Sequence, residues 1–128
     1  MALDYGRART GVAVSDPTGT VARPLCVVEG AATEAGLAEL ARLIAAEEAE
    51  RVVVGLPLTM GGERGEQARE TEDFVRALGA ATDVPVVTYD ERFTTDLAEQ
   101  APARAPEDAR AAAHLLTGYL TWLSGAQA

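Results

Sequence analysis

Three β-rich stretches in the first thirty residues, followed by alternating helix-period and short apolar segments, predict an α/β fold with a mixed sheet. The expected order is β-β-β-α-β-α-β-α, five strands flanked by helices. The length of 128 residues agrees with one domain spanning 1–128 and leaves no room for a second lobe. A composition 48% apolar, with a mean hydropathy of +0.00, suits a chain that buries its own core without disulfides.

Ala2–Leu3 runs into Asp4-Tyr5-Gly6 and reads as a first strand, ending in a tight turn at Gly6–Arg9. Thr10–Ser15 is the second strand, closed by the turn Asp16-Pro17-Thr18-Gly19. Thr20–Val28 is the third, and Pro24 within it has no N–H to donate, which marks an edge or a bulge. At Thr33, a capping residue, the period becomes helical, with Leu37, Leu40, Ala41 and Ile44 on one face. Arg51–Gly55 is short and apolar, as strands buried on both faces are. After the Gly-rich loop Met60–Gly62, a helix is expected from about Glu66 to Leu78, with Ala68, Phe74, Val75 and Leu78 inward. Val84–Thr88 is the fifth strand. A short helix is expected from Thr95, a Pro-marked loop over Ala101–Pro106, and a last helix over Glu107–Leu123 with Ala112, Leu115, Leu116, Tyr119 and Leu123 inward. Trp122 reads as a core anchor, His114 as a packing or surface residue, and Cys26 as a buried structural thiol.

Charge excludes some partners. Eleven basic against twenty acidic residues leave a net charge of −9, a field that repels polyanions unless it is locally reversed. Every basic residue is Arg, the better phosphate fork, and residues 1–25 hold Arg7, Arg9 and Arg23 against Asp4 and Asp16, a balance of +1. No signal sequence opens the chain, and no apolar stretch approaches the ~20 residues that span a bilayer. A cytoplasmic protein without membrane contact is expected.

Sheets of this kind place their sites at strand ends. Asp4 closes the first strand, with Gly6 letting the next turn approach a ligand; Glu91 follows the fifth strand; Asp108 lies in the first turn of the last helix. If the first and fifth strands lie together and the last helix crosses them, the three carboxylates converge. Clustered acids repel unless a cation neutralises them, and an all-carboxylate set favours Mg²⁺ or Mn²⁺ over zinc. Each acid also has a plainer reading: Asp4 as turn chemistry, Asp108 as a helix-start acid complementing the dipole, Glu91 as a surface partner of Arg92 or Arg51.

Four motifs in series are more specific. Leu3–Asp16 (LDYGRARTGVAVSD), Val53–Gly62 (VVGLPLTMGG), Tyr89–Thr95 (YDERFTT) and Asp108–Leu120 (DARAAAHLLTGYL) together resemble the YqgF/RuvX family, over nearly the whole chain and in order. Its members are small bacterial proteins with a ribonuclease H-like fold, described as pre-16S rRNA nucleases and as Holliday junction resolvases. The resemblance implies a metal-dependent endonuclease acting on pre-rRNA or branched DNA, with Asp4, Glu91 and Asp108 as catalytic acids holding two Mg²⁺ or Mn²⁺ ions. It further implies substrate binding by Gly6, Arg7, Arg9, Gly55, Arg92, Thr94 and Thr95, in a monomer or a homodimer. The segment 96–108 holds four acids and only Arg104, a net −3 that suits phosphate poorly, and Ala109 stands where a Ser commonly follows the last acid.

Two other functions compete. The acidic balance admits a nucleic-acid or protein-binding module on a nuclease-like fold. An N-terminal D-x-G also resembles the phosphate loop of actin-type kinases, but those need two lobes, and 128 residues supply one.

Overall fold

The computed structural model describes residues 1–58, 61, 64–90 and 106–127, with side chains through 123. The strands are β1 (Ala2–Asp4), β2 (Arg9–Ser15), β3 (Ala22–Glu29), β4 (Val52–Leu56) and β5 (Val86–Asp90). The helices are α1 (Glu34–Ala46), α2 (Glu66–Ala81) and α3 (Glu107–Gln127). The sheet order is β3-β2-β1-β4-β5, antiparallel from β3 to β1 and parallel from β1 through β4 to β5. This is the mixed five-stranded α/β architecture the sequence predicts. The helix predicted from Thr95 and the loop over residues 101–105 lie outside the described residues.

The pleat sorts the core into two layers. In β4, Val52 and Val54 join Leu3, Val12, Leu40, Ile44, Phe74 and Leu78 on the side covered by α1 and α2. Val53, between them, joins Ala2, Ala13, Tyr89, Ala112, Leu115, Leu116 and Tyr119 on the side covered by α3. Burial on both faces is why β4 is apolar throughout.

Local signals account for the ends. The Oγ1 of Thr33 accepts from the Gly36 N–H at 3.1 Å, which caps α1 as its position predicts. The β2–β3 register shifts between Val12 and Ala13, where Ala13 faces Pro24 and Val12 faces Cys26; β3 is indeed an edge strand irregular at its proline.

Several expectations need correction. The second helix runs on to Ala81 and the fifth strand starts at Val86, since Val84 and Pro85 precede the ladder. Cys26 is half-buried rather than fully buried, because an edge strand leaves one flank open, and that burial raises its thiol pKa. Trp122 is 53% exposed and anchors no core: it flanks the α3 stripe of Ala112, Leu115, Leu116 and Tyr119 rather than lying on it. Its indole instead leans on Tyr89 and Tyr119, with centroids 6.2 and 6.1 Å away. His114 is half-buried, its Nε2 enclosed without a hydrogen-bond partner among the described residues. No described helix is long and apolar enough to cross a membrane.

Candidate active site

The parallel run β1, β4, β5 brings three strand ends to one edge of the sheet. Leu3 pairs with Val54 and Gly55 with Tyr89, so Asp4, Gly55 and Tyr89 stand at one level, one step before Asp90. Ala2 packs beneath α3, and residue alternation turns Asp4 to the same face.

Asp4 pairs across the ladder with Gly11. At Gly11 the first turn of α3 presses on the strand: a Cβ there would overlap the carbonyl of Asp108 and lie 2.8 Å from the amide nitrogen of Ala109. Glycine therefore admits the helix backbone directly onto the strand beside Asp4. Ala109 is fully buried in this contact, so a small residue follows the acid where the helix meets the sheet. The backbone of Asp108 is thereby seated on Gly11, the ladder partner of Asp4. Asp108 lies in the first helical turn, where the dipole favours a carboxylate, and its Oδ2 stands 3.5 Å from Arg9 Nε.

The third acid, Glu91, lies outside the described residues, as do Arg92, Thr94 and Thr95. Among the described residues, no three acidic, histidine or cysteine side chains gather closely enough to hold a metal ion.

The turn that carries Arg7 and Arg9 is closed by Thr10. Its fully buried hydroxyl lies 3.3 Å from both the Gly6 N–H, which donates to it, and the Gly6 carbonyl, to which it donates. Gly6 itself is required by the turn: a Cβ there would overlap the carbonyl oxygen of Arg9. The turn thus gives Gly6 a structural reason of its own beside the ligand approach expected of it. Thr10 was missed in the sequence because a Thr in a β-rich run reads as strand propensity.

Beside Asp4 a cleft of about 430 Å³ opens toward α2, lined by Tyr5, Gly6, Arg7, Pro57 and by Glu66, Gln67, Glu70 and Thr71 of the helix. Arg7 crosses it to Glu70, with Nε 3.3 Å from Oε2 and Nη2 on Oε1. Tyr5 stacks on Phe74 of α2 with centroids 4.4 Å apart, and burial, with the Glu70 charge second, raises its phenol pKa. Glu70 carried no signal in the sequence, since an acid on a helix's polar face looks like ordinary solvent exposure. The last residue of the first motif, Asp16, lies at the far end of β2. Its carboxylate accepts from Thr18 Oγ1 and from the Val21 and Thr20 amides, which hold its pKa at about 2; its role is the turn.

The chain is similar to known proteins along its length. A family profile described as "RuvX: Holliday junction resolvase" matches residues 1–121. A protein of Chloroflexus aggregans named "Putative pre-16S rRNA nuclease" is 43% identical, covering 94% of this chain and 91% of the relative. Proteins of the same name from an Anaeromyxobacter species and from Syntrophomonas wolfei are 42% and 36% identical, covering 100% and 94% of this chain and 98% and 92% of theirs. With this match from the first strand into the last helix, and the mixed five-stranded sheet beneath it, the chain belongs to the RuvX family.

Proposed function

We propose that this protein is an endonuclease that uses divalent metal ions to hydrolyse phosphodiester bonds of structured nucleic acid, its task being 5′-end processing of pre-16S rRNA in the bacterial cytoplasm. The observation that carries the reading is the seating of the first turn of α3 on Gly11, the strand partner of Asp4; in this proposal it draws two carboxylates from opposite ends of the chain into one site. The names of its relatives favour RNA; the family description supplies the alternative substrate, a Holliday junction.

The donor set fits Mg²⁺ or Mn²⁺. Asp4, Asp108 and, in this proposal, Glu91 offer hard carboxylate oxygens. When bound, two such ions supply the attacking hydroxide and stabilise the leaving oxygen. The remaining work falls to the protein. Arg7, Arg9 and Arg92, with Thr94 and Thr95, take phosphates along the strand ends, and the absent side chain of Gly55 lets the backbone approach. Such contacts position the substrate and read no bases, so recognition rests on shape.

A second reading, a binding module without cleavage, is favoured by one observation: Arg7 and Arg9 already hold carboxylates in a chain of net charge −9. The two are separated by incubating the protein and its Asp4→Asn variant with labelled precursor rRNA and with four-way junctions, in Mn²⁺, Mg²⁺ or EDTA. Cleavage of the RNA by the unaltered protein alone, and with metal alone, is expected. Undiminished cleavage in EDTA would remove the metal; cutting of junctions with intact RNA would move the task to resolution; binding without cutting would favour the module.

A further inference from the structure

We propose that Glu70 is an internal phosphate surrogate: its carboxylate occupies the site on Arg7 that a substrate phosphodiester takes, so nucleic acid binds by exchanging with it. The inference rests on the nucleic-acid reading above and adds to it the residue that sets affinity.

Three observations carry it. The first is geometry. The Arg7 guanidinium meets both Glu70 oxygens, Nε to Oε2 at 3.3 Å and Nη2 to Oε1, in the two-pronged arrangement that Arg makes equally with carboxylate and phosphate. The second is place. The pair spans a cleft whose lining includes Asp4, so a phosphate on Arg7 would lie at the same end of the sheet as the candidate catalytic acid. The third is rigidity on one side of the pair and freedom on the other. Glu70 projects from the second turn of α2, which is fixed against the turn by the Tyr5–Phe74 stack and the buried Thr71 and Phe74. The Arg7 side chain is 78% exposed and able to swing from Glu70 to an incoming strand.

The exchange has a cost that decides its consequence. Freeing Arg7 leaves the Glu70 charge in the cleft, facing the polyanion, so each binding event loses one favourable pair and gains one repulsion. An exposed pair is weak, which keeps the exchange reversible. Glu70 therefore lowers affinity for all sequences alike and favours substrates that present several phosphates at once, as folded or branched nucleic acid does.

The test is a double-mutant cycle on RNA binding, read by fluorescence anisotropy with a labelled pre-16S leader RNA in EDTA over a salt series. The proteins are the unaltered chain, Glu70→Gln, Arg7→Ala and the double variant, each checked for cooperative unfolding. Glu70→Gln is expected to tighten binding about two- to fivefold, the span of an exposed pair. It should also steepen the salt slope, because the unaltered protein gives up an ion pair that salt weakens as it gains the phosphate, whereas Glu70→Gln gives up none. Both gains should shrink in the Arg7→Ala background, where Glu70→Gln relieves only the repulsion. No gain, or an equal gain without Arg7, overturns the inference, the second result reducing it to the loss of one negative charge. If none of the four proteins binds RNA or a four-way junction, the nucleic-acid reading falls with it; if the unaltered protein binds and cuts while Glu70→Gln gains nothing, this inference falls alone.

Discussion

The two faces of the sheet are built from residues of different size. Against α1 and α2 the sheet presents Leu3, Val12, Val52 and Val54 to Leu40, Ile44, Phe74 and Leu78. Against the start of α3 it presents Ala2, Gly11 and Ala13 to Ala109, Ala112 and Ala113, and only farther along do Val53 and Tyr89 meet Leu115, Leu116 and Tyr119. Large side chains hold a helix away from the sheet and bury much apolar surface in doing so; small ones let the helix backbone touch the strand. The first face is bulky throughout, while the small end of the second sets how closely the first turn of α3 approaches the strand that pairs with Asp4. The difference teaches that the Ala and Gly richness of the α3 interface is a spacing device rather than a weak core.

Substitutions on the two faces test that division. Gly11→Val should have the largest effect, because its side chain would enter the first turn of α3 and push Asp108 from Asp4. Cleavage of precursor RNA should fall by about 10²-fold or more, as expected for a misplacement of about 1 Å. Overpacking should cost only about 1–3 kcal/mol in urea unfolding. Retained cleavage would show that α3 does not position the acid.

On the opposite face, Leu40→Ala should invert the pattern. Leu40 is fully buried, so truncation should cost about 2–5 kcal/mol. Cleavage per folded molecule, measured well below the melting temperature, should be unchanged. A loss of turnover as large as that of Gly11→Val would mean that the faces do not divide the work.

The smallest effect concerns Asp16, remote from both helices' contacts. Its folded-state pKa of about 2 is below the ordinary 3.8, chiefly through Thr18, then the Val21 and Thr20 amides. A depressed carboxylate contributes stability that is full above about pH 4 and is lost as pH falls through about 2. Asp16→Asn should therefore flatten the acid limb of stability between those values and change the melting temperature little at pH 7. Identical acid limbs for variant and unaltered chain would remove Asp16 from the account.

Much of this was legible along the chain. Pro24 announced the irregular edge strand because a missing N–H is a local fact. Val52–Val54 announced a strand covered on both faces, and Thr33 its helix start, for equally local reasons. The fault with Trp122 came from the same source. Hydrophobicity assigned it to the core, whereas its angular place on α3, set by how that helix docks, left it exposed.

Residue types and spacing determined the order of elements, the strand end bearing Asp4, and the acid that opens α3. What the tertiary structure alone decided is who stands beside whom. Gly11 became the seat of Asp108, Gly6 the closure of a turn, and Glu70 the partner of Arg7 across 63 residues of sequence. Strand and helix periods follow from interactions within a few residues, so a sequence displays them. Pairings between distant segments follow from how closely two faces pack, and that distance is a property of the whole assembled core.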